Sequence, residues 1–251
     1  MLTLPGVFRP HSDCWLLASE MRDRGLARDA RVLDLFTGSG ALAIEAARGG
    51  ARNTVAVDVS RRAVLSARLN VRRADVRVDV RHGDLWAPVA EERFDLILAN
   101  PPYLPSATEH PPSRGAARAW EAGSDGRALL DPLCDAAPAH MAAGGTLLLV
   151  QSAFAGESET LSRLAAAGLD ATVVKRQRGP LGPLMTERSD LLEERGLLAP
   201  GEREEEIVVV SATRPLPAGN LRPPQALVGS APRDELRHAS SSTERDGSGT
   251  S

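Results

Sequence analysis

Short apolar runs alternate with helix-like segments along most of this chain. The first run, 31–36, leads through a glycine turn into 41–48, whose Ala, Leu and Ile residues predict a helix that ends at a Gly-Gly pair. Further strands are predicted at 54–57, 76–80, 94–99, 146–150, 169–174 and 207–210. Strands that alternate with helices are joined by right-handed crossovers. The order of elements therefore predicts an α/β fold with a doubly wound, mostly parallel, seven-stranded sheet.

The composition of the chain changes near residue 213. The residues that follow are rich in Pro, Ser, Gly and charged side chains and contain few apolar ones. Such a segment cannot bury enough apolar surface to fold by itself. We therefore predict an amino-terminal helical segment at 1–29, with a helix over 12–24, a main domain at 30–212 and a disordered tail at 213–251.

Charge and composition restrict the classes of function. The chain has 30 basic and 33 acidic residues, a net charge of -3, and 3% aromatic residues. This balance argues against a protein that binds nucleic acid mainly by charge or by stacking. The two cysteines and five histidines are scattered, so no disulfide framework or metal site is predicted. We see no signal peptide and no stretch of membrane-spanning length, and we expect a cytoplasmic protein.

The tetrapeptide Asn100-Pro101-Pro102-Tyr103 follows the apolar strand 94–99. Its prolines fix their own φ angles, keep Asn100 out of helical geometry and supply no N–H. The side-chain carbonyl of Asn100 and a rigid main-chain carbonyl can then accept both hydrogens of a planar NH2 group, while Tyr103 covers one face. This arrangement suits methylation of an amide or exocyclic amine nitrogen. The alternative is a strand-ending turn, because Asn-Pro is a common turn signal.

A glycine-rich turn, Gly38-Ser39-Gly40, separates the first strand from its helix. Glycines at such a turn let a ligand approach the backbone. Asp58 ends the next strand, 20 residues past Gly38, where a carboxylate can accept both ribose hydroxyls of an adenosine. The pattern favours a nucleoside site over the alternative, a packing turn followed by a solvated aspartate.

Asp34 bears on which nucleoside is bound. It lies in the first strand, four residues before Gly38, where a dinucleotide site usually has an apolar residue. An acid near the ligand repels phosphate but suits a cation, and S-adenosylmethionine carries a sulfonium and an ammonium group. The alternative for Asp34 is a buried, hydrogen-bonded structural acid.

Asp84 and Trp86 follow the third predicted strand. In a doubly wound sheet this position lies near the adenine pocket. Asp84 is thus a candidate acceptor for the adenine amino group, and Trp86 a candidate for packing on the ring. The alternative is a turn aspartate and a core tryptophan.

Together these motifs resemble the class I S-adenosylmethionine-dependent methyltransferases. More narrowly, they resemble the HemK family, which methylates the glutamine of the GGQ motif in peptide-chain release factors. The resemblance covers about 5–212. The start of the chain, 7–14, is similar to the short branch of that family, which has no helical amino-terminal domain. Phe8 stands there in place of a tyrosine and Cys14 in place of a threonine.

The resemblance implies a role for each motif. Contacts to S-adenosylmethionine would come from Asp34, Phe36, Thr37, Gly38, Ser39, Gly40, Asp58, Asp84, Trp86 and Asn100. Asn100 and the carbonyl of Pro101 would orient the substrate amide, in a turn completed by Pro102 and Tyr103. A release factor would be the protein substrate, and a small activating partner subunit is known in the short branch.

Three other functions remain open on the sequence. An amino-methyltransferase of a nucleic-acid base, in rRNA, tRNA or DNA, shares the tetrapeptide but usually adds a basic extension or a recognition domain. A nicotinamide-dependent reductase fits the glycine turn and leaves Asp34 and the tetrapeptide unexplained. A protein that binds a ligand without catalysis would not need an intact tetrapeptide.

Overall fold

The computed structural model describes residues 1–112 and 115–216, and these contain a seven-stranded sheet. The strands are β1 (Arg31–Leu35), β2 (Asn53–Asp58), β3 (Asp79–His82), β4 (Phe94–Ala99), β5 (Met141–Ser152), β6 (Asp170–Pro180) and β7 (Glu204–Thr213). Their order is β3-β2-β1-β4-β5-β7-β6, and β7 runs antiparallel to both of its neighbours. The remaining pairs are parallel. The predicted doubly wound, mostly parallel sheet is thus confirmed.

Helices cover both faces of the sheet, which explains why its central strands are mostly apolar. The helices are α1 (Ser12–Asp23), α2 (Ala41–Arg48), α3 (Arg61–Ala74), α4 (Leu130–His140), α5 (Glu157–Ala166), α6 (Pro183–Glu187) and α7 (Ser189–Glu194). On one face, α1, α2 and α3 pack on the side chains that include Val32, Ala56 and Leu98. On the other face, α4 and α5 pack on those that include Leu33, Ile97 and Leu149.

The chain reverses its direction of travel across the sheet between β1 and β4. β2 and β3 lie on one side of β1, whereas β4 and β5 lie on the other. In open α/β sheets a crevice forms at such a point, outside the carboxyl ends of the strands. The glycine turn after β1 and the tetrapeptide after β4 both open onto this crevice.

Helix α4 begins later than the sequence indicates. We expect it from about residue 125, but it starts at Leu130. Gly126 has a φ of +77°, and a Cβ there would lie 2.4 Å from the carbonyl oxygen of Tyr103. The carboxylate of Asp125 accepts the backbone N–H of Arg127 in a turn. This close crossing with the tetrapeptide displaces the start of the helix.

Strands β6 and β7 extend beyond their predicted ends. The residues added at the end of β6 and at the start of β7 are mostly charged and lack the apolar pattern of a strand, but some of them form ion pairs across the two strands. Arg176 lies 2.7 Å from Glu206, and Arg178 lies 2.7 Å from Glu204. Thr213, predicted to begin the tail, is the last residue of β7. Most of the tail predicted for 213–251 lies outside the described residues.

Candidate active site

A cavity of about 1240 Å³ occupies the crevice at the carboxyl ends of β1, β2 and β4. The loops after these strands form its walls, together with the amino-terminal segment and the start of α6. Its lining includes Phe8, Asp13, Cys14, Phe36, Thr37, Gly38, Ser39, Asp58, Asp84, Leu85, Asn100, Pro101, Pro102, Tyr103, Trp120, Met185 and Glu205. The structure therefore brings most of the predicted site residues to one cavity.

The glycine turn after β1 is held in a shape that few residues can adopt. Gly38 and Gly40 have φ angles of +54° and +86°, and the non-glycine Phe36 has a φ of +58°. The N–H of Gly40 donates to the carbonyl of Thr37 at 2.8 Å. Left-handed backbone at a non-glycine residue is uncommon and costs energy, and it concentrates at functional sites.

Gly40 also allows helices α2 and α3 to approach each other. A Cβ at Gly40 would lie 3.2 Å from both Cα and Cβ of Ala67. Gly40→Ala is expected to lower the free energy of unfolding by about 2 kcal/mol, because it adds a steric clash to left-handed strain. Gly25→Ala is the matched control, since Gly25 has a φ of +62° and, among the described residues, no atom within 4 Å of an added Cβ. Urea denaturation of both variants measures the difference, and equal losses would contradict the steric argument.

Asp58 lies on the cavity wall with both carboxylate oxygens fixed by the backbone. One oxygen accepts the N–H of Gly38 at 2.9 Å, and the other accepts the N–H of Ser60 at 2.8 Å. Burial raises the pKa of this carboxyl group, against the lowering effect of these hydrogen bonds. Each carboxylate oxygen can accept a second hydrogen bond. Asp58 therefore presents an oriented acceptor pair of the kind that binds a diol.

Asp34 lies behind the glycine turn. It is fully buried and is not among the described residues that line the cavity. One of its oxygens accepts the Thr37 hydroxyl at 2.5 Å and the N–H of Ala43 at 2.9 Å. The expectation that Asp34 faces a bound cation is therefore corrected, because its alternation along β1 directs it beneath α2. Its role here is to fasten the turn to the start of α2.

Burial raises the pKa of Asp34 to about 7. Because the folded-state pKa lies above the unfolded value, the protonated group favours the fold, and this stability is lost as pH rises through about 7. We expect the wild type to lose about 2 kcal/mol more stability than Asp34→Asn between pH 5 and pH 7. Parallel pH profiles of urea unfolding for the two proteins would contradict the assignment.

The loop after β3 brings Asp84 and Leu85 to the cavity, whereas Trp86 is not among its described lining residues. The Trp86 ring is buried and stacks on His140, with centroids 4.4 Å apart and planes at 1°. Leu85 has a φ of +43°, and this local turn carries the next side chain into the core. The expected packing of Trp86 on a bound base is thus corrected, and Leu85 is the apolar residue at that place.

The tetrapeptide lines the cavity with all four residues. The side-chain NH2 of Asn100 donates to Asp13 at 3.3 Å, and the Tyr103 hydroxyl donates to the same carboxylate oxygen at 3.0 Å. Burial, and then the charge of Asp13, raises the pKa of the Tyr103 hydroxyl well above its usual value. Tyr103 therefore acts as a neutral donor and as a wall of the cavity.

The amino-terminal segment crosses the cavity and is tied to α3. The side chain of Asn70 exchanges two hydrogen bonds of 2.8 Å with the backbone of Leu2 and donates to the carbonyl of Ser39 at 2.9 Å. Ser66 accepts the N–H of Leu4. Phe8 and Cys14, the two departures noted in the sequence, both reach the cavity wall. Asn70 thus couples this segment to the glycine turn.

Several residues of the site are not apparent from the sequence. Asp13 stands in the first turn of the helix predicted over 12–24, with no sign in the sequence of a ligand-site role, yet it binds both polar side chains of the tetrapeptide. Glu205 reaches the cavity from β7, and its carboxylate accepts the N–H of Gly182 at 3.0 Å. Helix α6 adds an apolar wall that includes Met185. The only sequence signal for Asp13 and Glu205 is that each is a polar residue near the end of a helix or strand. Such a signal does not show which distant segment the side chain contacts.

A family model described as the methyltransferase small domain matches residues 1–112. A Methanocaldococcus jannaschii chain, to which protein N5-glutamine methyltransferase activity is ascribed, is 32% identical over 72% of this chain and 90% of its own length. The release factor glutamine methyltransferase of Geobacter sulfurreducens is 32% identical over 62% of this chain and 56% of its own. The ribosomal protein uL3 glutamine methyltransferase of Bradyrhizobium diazoefficiens is 42% identical over 47% and 39%, respectively. The matched region therefore spans about half of the length of the Geobacter sulfurreducens relative and about two fifths of the Bradyrhizobium diazoefficiens one.

Among solved structures, the fold is similar to that of one chain of the E. cuniculi Mtq2–Trm112 complex. That complex is responsible for methylation of the eRF1 translation termination factor. The TM-score is 0.58 and the identity 22%, over 83% of this chain and 99% of that one. At this identity the likeness concerns the fold. None of the helices within the described residues has the length and apolar character needed to cross a membrane.

Proposed function

The chain belongs to the HemK family of S-adenosylmethionine-dependent methyltransferases, and from this premise we propose that it methylates the side-chain nitrogen of a glutamine in a peptide-chain release factor. The observation that carries the proposal is the meeting of two motifs in one cavity. Of the nucleoside-type residues, Gly38, Ser39 and Asp58 line the same space as Asn100, Pro101 and Tyr103.

The cavity fits S-adenosylmethionine by its chemistry. Asp58 offers an oriented acceptor pair for ribose hydroxyls, while Asp84 and Leu85 offer a polar group and an apolar surface for adenine. The turn from Phe36 to Gly40 would hold the amino-acid part, with Gly40 shaping the turn, since it is not among the described residues that line the cavity. The bound cofactor supplies a methyl group on a sulfonium centre. A cavity of about 1240 Å³ leaves room for an acceptor side chain as well.

The residues after β4 address the main chemical difficulty, which is that an amide nitrogen is a weak nucleophile. The carbonyl oxygens of Asn100 and Pro101 would accept its two hydrogens and fix its plane. Alignment of this kind removes much of the entropic part of a barrier. The same oxygens stabilise positive charge that develops on the attacking nitrogen. Tyr103 and the apolar wall near Met185 exclude water.

A release factor is the acceptor that we propose, because several relatives are named for it. Others are named for ribosomal protein uL3, which makes that protein the second candidate. A nucleic-acid base is third, since a net charge of -3 does not favour a phosphate-rich partner. Release factors act in the cytoplasm, and we place the enzyme there.

Isotopically labelled S-adenosylmethionine distinguishes these acceptors. The protein is incubated with purified release factor, purified uL3 or total RNA, and the incorporated label is counted. We expect label in the release factor. Label confined to RNA would contradict the assignment to a protein amide, and label confined to uL3 would move it to the second acceptor.

The proposal extends to a small activating partner, because the E. cuniculi protein is found as a complex with Trm112. The same assay with a lysate of the source organism, freed of small molecules, tests it. A rate per enzyme molecule that rises with added lysate supports a partner, and an unchanged rate contradicts one.

A further inference from the structure

We propose that Asp13 is a positioning residue that fixes which end of the Asn100 amide faces the methyl acceptor. The inference rests on the proposed function, since it concerns the acceptor pair of that reaction. Asp13 lies at the start of α1, 87 residues before Asn100 in the chain, and is 7% exposed. Its carboxylate lines the same cavity as the tetrapeptide and contacts Asn100 and Tyr103 there.

The side-chain amide of an asparagine has two orientations of similar shape. Rotation about χ2 is broad and roughly two-fold, so packing alone does not choose between the oxygen and the nitrogen. Only one orientation suits the reaction. The NH2 group that receives the methyl must donate its hydrogens to an oxygen. If the NH2 group of Asn100 faced it instead, two hydrogen-bond donors would face each other.

The hydrogen bonds of Asp13 make this choice. A carboxylate can only accept hydrogen bonds. One oxygen of Asp13 accepts the N–H of Cys14 at 2.7 Å, and the other accepts the NH2 of Asn100 at 3.3 Å. The nitrogen of Asn100 is thereby held toward Asp13, which turns the carbonyl oxygen of Asn100 away from Asp13 and leaves it free to accept from the NH2 group of the methyl acceptor.

Tyr103 strengthens the same arrangement. Its hydroxyl donates at 3.0 Å to the Asp13 oxygen that also binds Asn100. Asp13 therefore fixes the first and last residues of the tetrapeptide at once. Glu205, the other acid on this part of the wall, is engaged by the N–H of Gly182. Asp13 is 7% exposed, which limits the access of water that would compete for its carboxylate.

Asp13→Asn tests the orientation directly. The amide introduced at position 13 must keep its oxygen toward the N–H of Cys14, so its NH2 group faces Asn100. The Asn100 side chain then rotates so that its oxygen accepts from position 13 and its NH2 group faces the methyl acceptor. We expect kcat to fall at least about tenfold, with the melting temperature and the dissociation constant of S-adenosylhomocysteine unchanged. Asp23→Asn, at the exposed end of the same helix, is the control and should retain wild-type kcat. Wild-type kcat for Asp13→Asn would overturn the inference.

A reciprocal exchange separates positioning from simple support of the fold. Asn100→Asp places two carboxylates together and should lose activity. Adding Asp13→Asn to it restores a donor–acceptor pair and returns an oxygen to the cavity side. We expect the double variant to be at least about tenfold more active than Asn100→Asp alone. A double variant no better than that single one would contradict the orientation.

The outcome is separable from that of the proposed function. If the wild type methylates RNA and no protein, the proposed function fails. The inference about Asp13 can still be tested, because an exocyclic base NH2 group needs the same acceptor oxygens, and the variants at positions 13 and 100 are then assayed with RNA as the substrate. Independently of turnover, the side-chain NH2 of Asn100 in nitrogen-15-labelled protein should exchange slowly with solvent, and faster in Asp13→Asn. Fast exchange in the wild type would overturn the inference.

Discussion

Asn100→Ala is expected to raise the activation free energy of methyl transfer by about 3 kcal/mol or more, while the cofactor still binds. The substitution removes one of the two oxygens that would grip the acceptor amide. Loss of one preorganised polar group at a reacting centre costs about 100-fold or more in kcat. Single-turnover rates with saturating labelled S-adenosylmethionine measure the effect, and calorimetry with S-adenosylhomocysteine measures binding.

Asn53→Ala provides the control for this experiment. Asn53 is an exposed asparagine at the start of β2, and that end of the strand is opposite to the cavity. We expect it to retain wild-type rates. Near-normal turnover of Asn100→Ala would show that the Asn100 side chain does not hold the methyl acceptor, whichever molecule is methylated.

Asp58→Ala is expected to weaken cofactor binding by about 100-fold or more. Each hydrogen bond to a charged group contributes about 1.5–3 kcal/mol, and Asp58 would offer two to the ribose. The substitution also frees the N–H groups of Gly38 and Ser60, so the glycine turn becomes less ordered. The dissociation constant of S-adenosylhomocysteine by calorimetry is the measurement.

Two comparisons make the result for Asp58 specific. Asp79→Ala removes an exposed carboxylate at the start of β3, where its ion-pair partner is Arg81. Binding by this control should match the wild type. For Asp58→Ala, unchanged affinity together with an unchanged melting temperature would remove Asp58 from the ribose site.

Local patterns predict the architecture of this chain where apolar residues decide it. β4 and α2 begin and end where the sequence indicates, because an apolar strand and an Ala-rich helix each carry their own signal. The charged ends of β6 and β7 carry none. They are strands because β6 and β7 pair with each other in register there, and ion pairs such as Arg176 with Glu206 join segments that lie about 30 residues apart.

The residues of the candidate site also fall into those that the local sequence predicts and those that it does not. Asp58 and the tetrapeptide are predictable because each lies at the carboxyl end of a parallel strand, and the topology places the ligand crevice at that end of the sheet. Asp13 is not, because its contact with Tyr103 joins residues 90 positions apart. Trp86 shows the reverse error. Its neighbours in the sequence point to the ligand, but the turn at Leu85 directs the ring onto His140.

The most direct test of the central claim is mass spectrometry of a purified release factor after incubation with this protein and S-adenosylmethionine. The matched control is the same release factor with its acceptor glutamine replaced by glutamate, which lacks the NH2 group. The account predicts one added methyl group on a glutamine side-chain nitrogen in the first sample and none in the second. A methyl group on any other atom, or equal methylation of both samples, would contradict it.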